Sequence, residues 1–120
     1  MSRINLLQSL VQFDRPLNKV LPDLHQIDWD SEQELVILKR DQIAIILQRY
    51  LKGDLQSTEV EDWANAIECR EDIGYEEGYE DLLRDLVYEL ANPLLTRSLS
   101  PNIAENFLNT LSVKQFTIPI

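Results

Sequence analysis

The sequence predicts an all-α fold: an antiparallel four-helix bundle over about residues 41–111, preceded by an N-terminal helix and a segment read as either a short β-hairpin or an extended linker. Three observations carry this expectation. Apolar residues recur at i, i+3, i+4 and i+7 in four successive stretches. Connections of about 4 to 9 residues separate these stretches, short enough to pair antiparallel neighbours. Start and stop residues stand where the stripes begin and end. The chain has 120 residues, 44% of them hydrophobic and 27% charged, which suits one domain, residues 1–120, with its own core.

The N-terminal helix is expected over 4–13, with Ile4, Leu7, Leu10 and Val11 on one face and Asp14, Arg15 and Pro16 ending it. Asn5, Gln8, Ser9 and Gln12 interrupt its apolar run, so it reads as an amphipathic helix and not as a signal peptide. Pro22 argues against a clean helix over the next stretch. The weak alternation His25 to Trp29 and the compact run Glu34 to Leu38 are the two arms of the hairpin reading.

Asp41 is placed as the cap of the first bundle helix, which carries Ile43, Ile46, Leu47 and Tyr50 and stops at Gly53. Thr58 and Glu61 have the spacing of a capping box, followed by the stripe Val60, Trp63, Ala64, Ile67. Residues 70–78 read as a loop. A third helix places Tyr79, Leu82, Leu83, Leu86, Val87 and Leu90 on one face and stops at Asn92-Pro93. Ser100-Pro101 starts the last helix, whose stripe is Ile103, Ala104, Phe107, Leu108 and Leu111. The tail after Leu111 alternates and reads as extended.

Charge is the unusual feature. Residues 59–89 hold 12 acidic residues and only two basic ones, Arg70 and Arg84, leaving 9 of each elsewhere, so this stretch carries the whole formal charge of −10. Helix dipoles and i,i+4 pairs such as Glu80–Arg84 account for some of these acids. They do not account for the imbalance, because clustered carboxylates repel one another. On the second and third bundle helices Glu61, Asp62, Glu68, Glu77, Asp81 and Asp85 turn outward, and if the two are antiparallel neighbours these acids merge with the Glu71-to-Gly78 turn into one patch, with Tyr75 and Tyr88 as aromatic anchors. Such a surface favours a basic protein partner and disfavours nucleic acid and anionic membranes.

Catalytic chemistry is not indicated. The one histidine, His25, lies far in sequence from the one cysteine, Cys69, and no nucleophile–base constellation appears. Glu-x-x-His pairs of a di-metal bundle are absent, and no Gly-rich phosphate loop exists. No cofactor, metal or catalytic residue is therefore assigned, and the single cysteine suits a reducing compartment.

The run DQIAIILQRYLKGDLQSTEVEDWANAI, with EDLLRDLVYELANP behind it, resembles the small acidic helical immunity proteins that neutralise bacterial toxins, in particular the colicin-D-type immunity group, over about residues 41–111. The resemblance implies a helical bundle whose acidic surface, here Glu68, Glu71, Asp72, Glu76, Glu77, Glu80 and Asp81, occludes the basic active site of a nuclease toxin in the producing cell's cytoplasm. The rival expectation is a structural or adaptor subunit that self-associates or joins a larger complex through the Leu94-Leu95 loop and the tail residues Phe116, Ile118 and Ile120.

Overall fold

In a computed structural model the described residues are 3–26, 34–68 and 70–116, with side chains described for all but 25, 26 and 112–116. They form helices α1 (Arg3–Gln12), α2 (Leu17–Gln26), α3 (Arg40–Leu51), α4 (Ser57–Glu68), α5 (Glu80–Ala91) and α6 (Pro101–Phe116), with short strands β1 (Val36–Leu38) and β2 (Ile73–Tyr75).

α1 and α3 end in the same way. In α1, Phe13 N donates to Leu10 O at 3.1 Å and Asp14 N to Ser9 O at 3.3 Å; in α3, Gly53 N donates to Tyr50 O at 3.1 Å and Asp54 N to Arg49 O at 2.9 Å. Both are Schellman closures, which need a left-handed residue. Gly53 supplies it at φ 88, whereas α1 uses Phe13 at φ 50. The buried ring of Phe13 is held there by Arg49, whose Nη1 donates to Phe13 O at 2.8 Å and whose guanidinium lies 5.3 Å from the ring centroid.

Two starts differ from the expected caps. α3 begins at Arg40, one residue before Asp41, because Gln42 Oε1 reaches back to accept from Lys39 N at 2.8 Å. α4 begins at Ser57, and Glu59 Oε1 accepts from Gln56 N at 2.8 Å, so the reciprocal bond sits two residues earlier than Thr58–Glu61. At α6, Ser100 Oγ accepts from Ile103 N at 3.3 Å and Pro101 opens the helix. α6 then runs to Phe116, so the part of the tail up to that residue is helical and not extended.

The hairpin expectation is overturned. β1 pairs with β2 in parallel, Val36 opposite Ile73, Ile37 opposite Gly74 and Leu38 opposite Tyr75. A parallel pair needs a long crossover, here the whole of α3 and α4. The loop expected at 70–78 therefore contains a strand. Residues 17–26 form α2 with Pro22 inside it, exposed on the surface, and the rest of the supposed first hairpin arm lies outside the described residues.

α4 packs on α5, α3 on α6 and α4, and α1 on α2, α3, α4 and β1. One core runs through all of these. Leu6, Leu7 and Leu10 of α1, Val20 and Leu24 of α2 and Leu38 of β1 are buried together with Trp63, Ile67, Leu83 and Val87. The packing thus establishes a mainly helical fold with a two-stranded parallel sheet; a self-contained four-helix bundle at 41–111 is not established, because α1 and β1 fill the same core. No helix among the described residues is long and apolar enough to cross a membrane.

Candidate functional site

The acid-rich stretch divides into carboxylates turned inward and carboxylates left on the surface. Asp72 is 2% exposed. It accepts from Arg70 Nε and Nη2 at 2.9 and 3.0 Å, and Arg3 Nε stands 3.9 Å away. Its own main-chain carbonyl accepts from Leu35 N at 2.8 Å and so starts the sheet. A carboxylate held in this way belongs to the interior and is not presented to a partner, which removes Asp72 from the expected patch.

Glu76 is likewise committed. Its Oε1 accepts from Arg40 N at 3.0 Å and Arg40 Nε at 3.1 Å, and its Oε2 from Arg40 Nη2 at 3.1 Å. The Arg40 guanidinium also lies 3.8 Å from the ring centroid of Tyr79. Hydrogen bonding to Arg40 holds the Glu76 carboxyl below the usual carboxylate range, against a smaller opposing effect of burial. The same bond raises Arg40 from its already high value. This fork joins the end of β2 to the start of α3. Glu68, half-buried at the end of α4, accepts from Asn92 Nδ2 at 3.2 Å.

A groove of about 410 Å³ lies beside β2 and the start of α5. Glu34, Glu68, Glu71 and Glu80 line it, with Ile73 and Tyr75 contributing apolar surface. Arg70 and Arg84 also reach it. Arg70 is bound to Asp72, and Arg84 lies 5.3 Å from the Tyr75 ring centroid and 3.4 Å from Asp81. None of the ion pairs among the described residues engages Glu34, Glu68, Glu71 or Glu80. The groove therefore carries carboxylates in excess of its own cations.

Glu34 was not anticipated. It lies 37 residues before Glu71 in sequence and arrives only because β1 pairs with β2. Its carboxyl lies over Gly74, where a Cβ would collide with it and would stand 2.9 Å from Ile37 Cδ1. A glycine at this strand position allows that approach. No sequence signal short of the strand pairing would have brought Glu34 to the site.

Of the expected patch, then, Glu68, Glu71, Tyr75 and Glu80 line the groove. Glu77 and Asp81 are exposed, and Tyr88 is 43% exposed on α5 but does not line it. No group of three or more His, Cys, Asp or Glu side chains among the described residues is arranged to hold a metal ion. Cys69 and the side chain of His25 lie outside the described residues.

Compared with protein-family models, with curated proteins and with solved structures, the chain gives no match.

Proposed function

We propose that this protein is a non-enzymatic binding module whose acidic groove takes a basic surface of a protein partner. The observation that carries this reading is the set of four carboxylates around one groove, Glu34, Glu68, Glu71 and Glu80, none of which forms an ion pair among the described residues. Tyr75 within the groove and exposed Glu77 and Asp81 beyond it extend the surface. Carboxylates so arranged imitate the phosphates that a nuclease active site binds, and a guanidinium entering between them finds bidentate acceptors. The resemblance over 41–111 to immunity proteins supports the narrower form of the proposal: a cytoplasmic inhibitor that masks the cationic site of a nuclease-like toxin. Opposite charges then steer the encounter and speed it at low salt.

The test is capture of partners at low and high salt by wild type and by a variant with Glu71, Glu80 and Asp81 changed to Lys. All three are exposed, and Asp72 and Glu76 keep their arginines. Wild type is expected to hold a basic protein at low salt, lose it at high salt, and block its nuclease activity. Equal capture by both proteins at both salts overturns the proposal.

A further inference from the structure

The acidic groove already holds a guanidinium of its own. Arg84, in the second turn of α5, lies with its guanidinium 5.3 Å from the ring centroid of Tyr75, and both residues line the groove. Its seat is loose. Nη1 stands 3.4 Å from Asp81 Oδ1, with the Arg84 side chain 60% exposed and that of Asp81 99% exposed. Water and salt screen such a pair, so it adds little. Arg70, the groove's other cation, is held differently: its side chain is 6% exposed and forked onto the buried Asp72. One groove arginine is therefore fixed and the other is loosely seated.

The chain shows elsewhere how a fully seated guanidinium is held. Arg40 rests 3.8 Å from the ring centroid of Tyr79, while Glu76 accepts from its Nε at 3.1 Å and from its Nη2 at 3.1 Å. An aromatic face beneath and a carboxylate at the edge suit a planar cation, and a compact ammonium cannot use both in the same way. The groove has the same two parts, with Tyr75 as the face and carboxylates around it. Glu80 accepts from Gly78 N at 3.0 Å and Glu68 from Asn92 Nδ2 at 3.2 Å. Glu34 and Glu71 are the groove carboxylates that engage no donor among the described residues. Arg84 has the face without the fork, because its carboxylate partner is Asp81, which does not line the groove.

From this juxtaposition of Arg84 on Tyr75 with the open carboxylates of Glu34 and Glu71, we infer that the groove receives an arginine side chain of the partner, and that Arg84 is its place-holder. The incoming guanidinium takes the Tyr75 ring and meets Glu34 or Glu71, while Arg84 swings out toward Asp81 and solvent. This inference rests on the proposed function and narrows it from a basic surface to one kind of side chain. The exchange is easy because the contact given up is weak and one of the same kind replaces it. It also makes the groove selective: a lysine enters the same field of charge but is a poorer substitute for a stacked, forked guanidinium.

The test is NMR titration of the full chain at low salt with an acetylated tri-arginine amide and with the tri-lysine peptide of equal charge. Free wild type is expected to show an NOE between the Arg84 Hδ protons and the Tyr75 ring. Saturation with tri-arginine is expected to remove it and to produce an intermolecular NOE from the peptide's Hδ protons to the same ring. Tri-arginine is expected to bind at least about threefold more tightly than tri-lysine.

Three variants complete the test. R84Q changes an exposed helical position and vacates the ring, and is expected to strengthen tri-arginine binding about threefold to tenfold. K52Q removes the same charge at the end of α3, outside the groove, and is expected to change it by less than about twofold. E34Q/E71Q is expected to weaken both peptides about tenfold or more. Equal binding of the two peptides by wild type overturns the inference while leaving charge-driven binding in place. So does an Arg84–Tyr75 contact that survives saturation, or an R84Q gain no larger than that of K52Q. If neither wild type nor R84Q binds either peptide, the groove takes no cation, and the proposed function falls with the inference.

Discussion

The indole Nε1 of Trp63 donates to the main-chain carbonyl of Leu10 across 2.7 Å inside the core. Leu10 stands in the last turn of α1, where carbonyls have no partner within their own helix. Its oxygen also accepts from Phe13 N at 3.1 Å in the Schellman closure. Trp63 thereby ties α4 to the end of α1, and it does so with a fully buried side chain.

Trp63→Phe keeps most of the apolar surface and removes this donor. The variant is expected to be less stable by about 1–3 kcal/mol, the cost of one lost buried hydrogen bond together with the cavity left by the smaller ring. Urea unfolding at neutral pH measures it.

Glu76→Gln tests the fork with Arg40. Because the folded carboxyl titrates below its ordinary value of 4.5, its ionised form stabilises the fold above that pH, and the contribution is lost as pH falls from 4.5 through the lower folded value. Wild type is expected to be more stable than the variant at pH 7, and the gap should close in acid. Parallel urea titrations at neutral and acid pH show it, and a gap independent of pH would refute the assignment.

Asp72→Asn and Glu71→Gln separate an internal carboxylate from a surface one, although the two are adjacent in sequence. The first removes the buried charge that Arg70 holds at 2.9 Å and is expected to cost about 1–3 kcal/mol. The second is expected to stay within about 0.5 kcal/mol of wild type. Thermal unfolding followed by circular dichroism distinguishes them.

Gly53→Ala probes the left-handed end of α3. No heavy atom stands near a Cβ at this position, so the whole effect comes from φ 88. An expected loss of about 1–2 kcal/mol follows from forcing an L-residue into this region.

The helices were legible because burial imposes a period on sequence. Val60, Trp63, Ala64 and Ile67, or Leu83, Leu86, Val87 and Leu90, announce the buried faces of α4 and α5. Gly53 and Ser100-Pro101 mark ends through local backbone chemistry alone. The parallel sheet was not legible. Val36–Leu38 and Ile73–Tyr75 are three residues each, too short to show alternation, and Gly74 makes the second resemble a turn. Ion pairing was hidden for a related reason. Arg40 reaches Glu76 across 36 positions, so composition shows both charges and nothing of their bond. The expected patch therefore shares Glu68, Glu71, Tyr75 and Glu80 with the groove, includes the internal Asp72 and the Arg40-bound Glu76, and omits Glu34.

The register of β1 against β2 has a consequence for how the acidic groove is assembled. Helical turns close within a few residues, whereas Val36 and Ile73 must find each other across the intervening chain, and contacts of that separation form slowly. Glu34 takes its place on the groove only when that pairing is complete. Until the two strands pair, the groove lacks the wall that Glu34 supplies. The groove is thus a property of the long-range sheet pairing and not of any one helix.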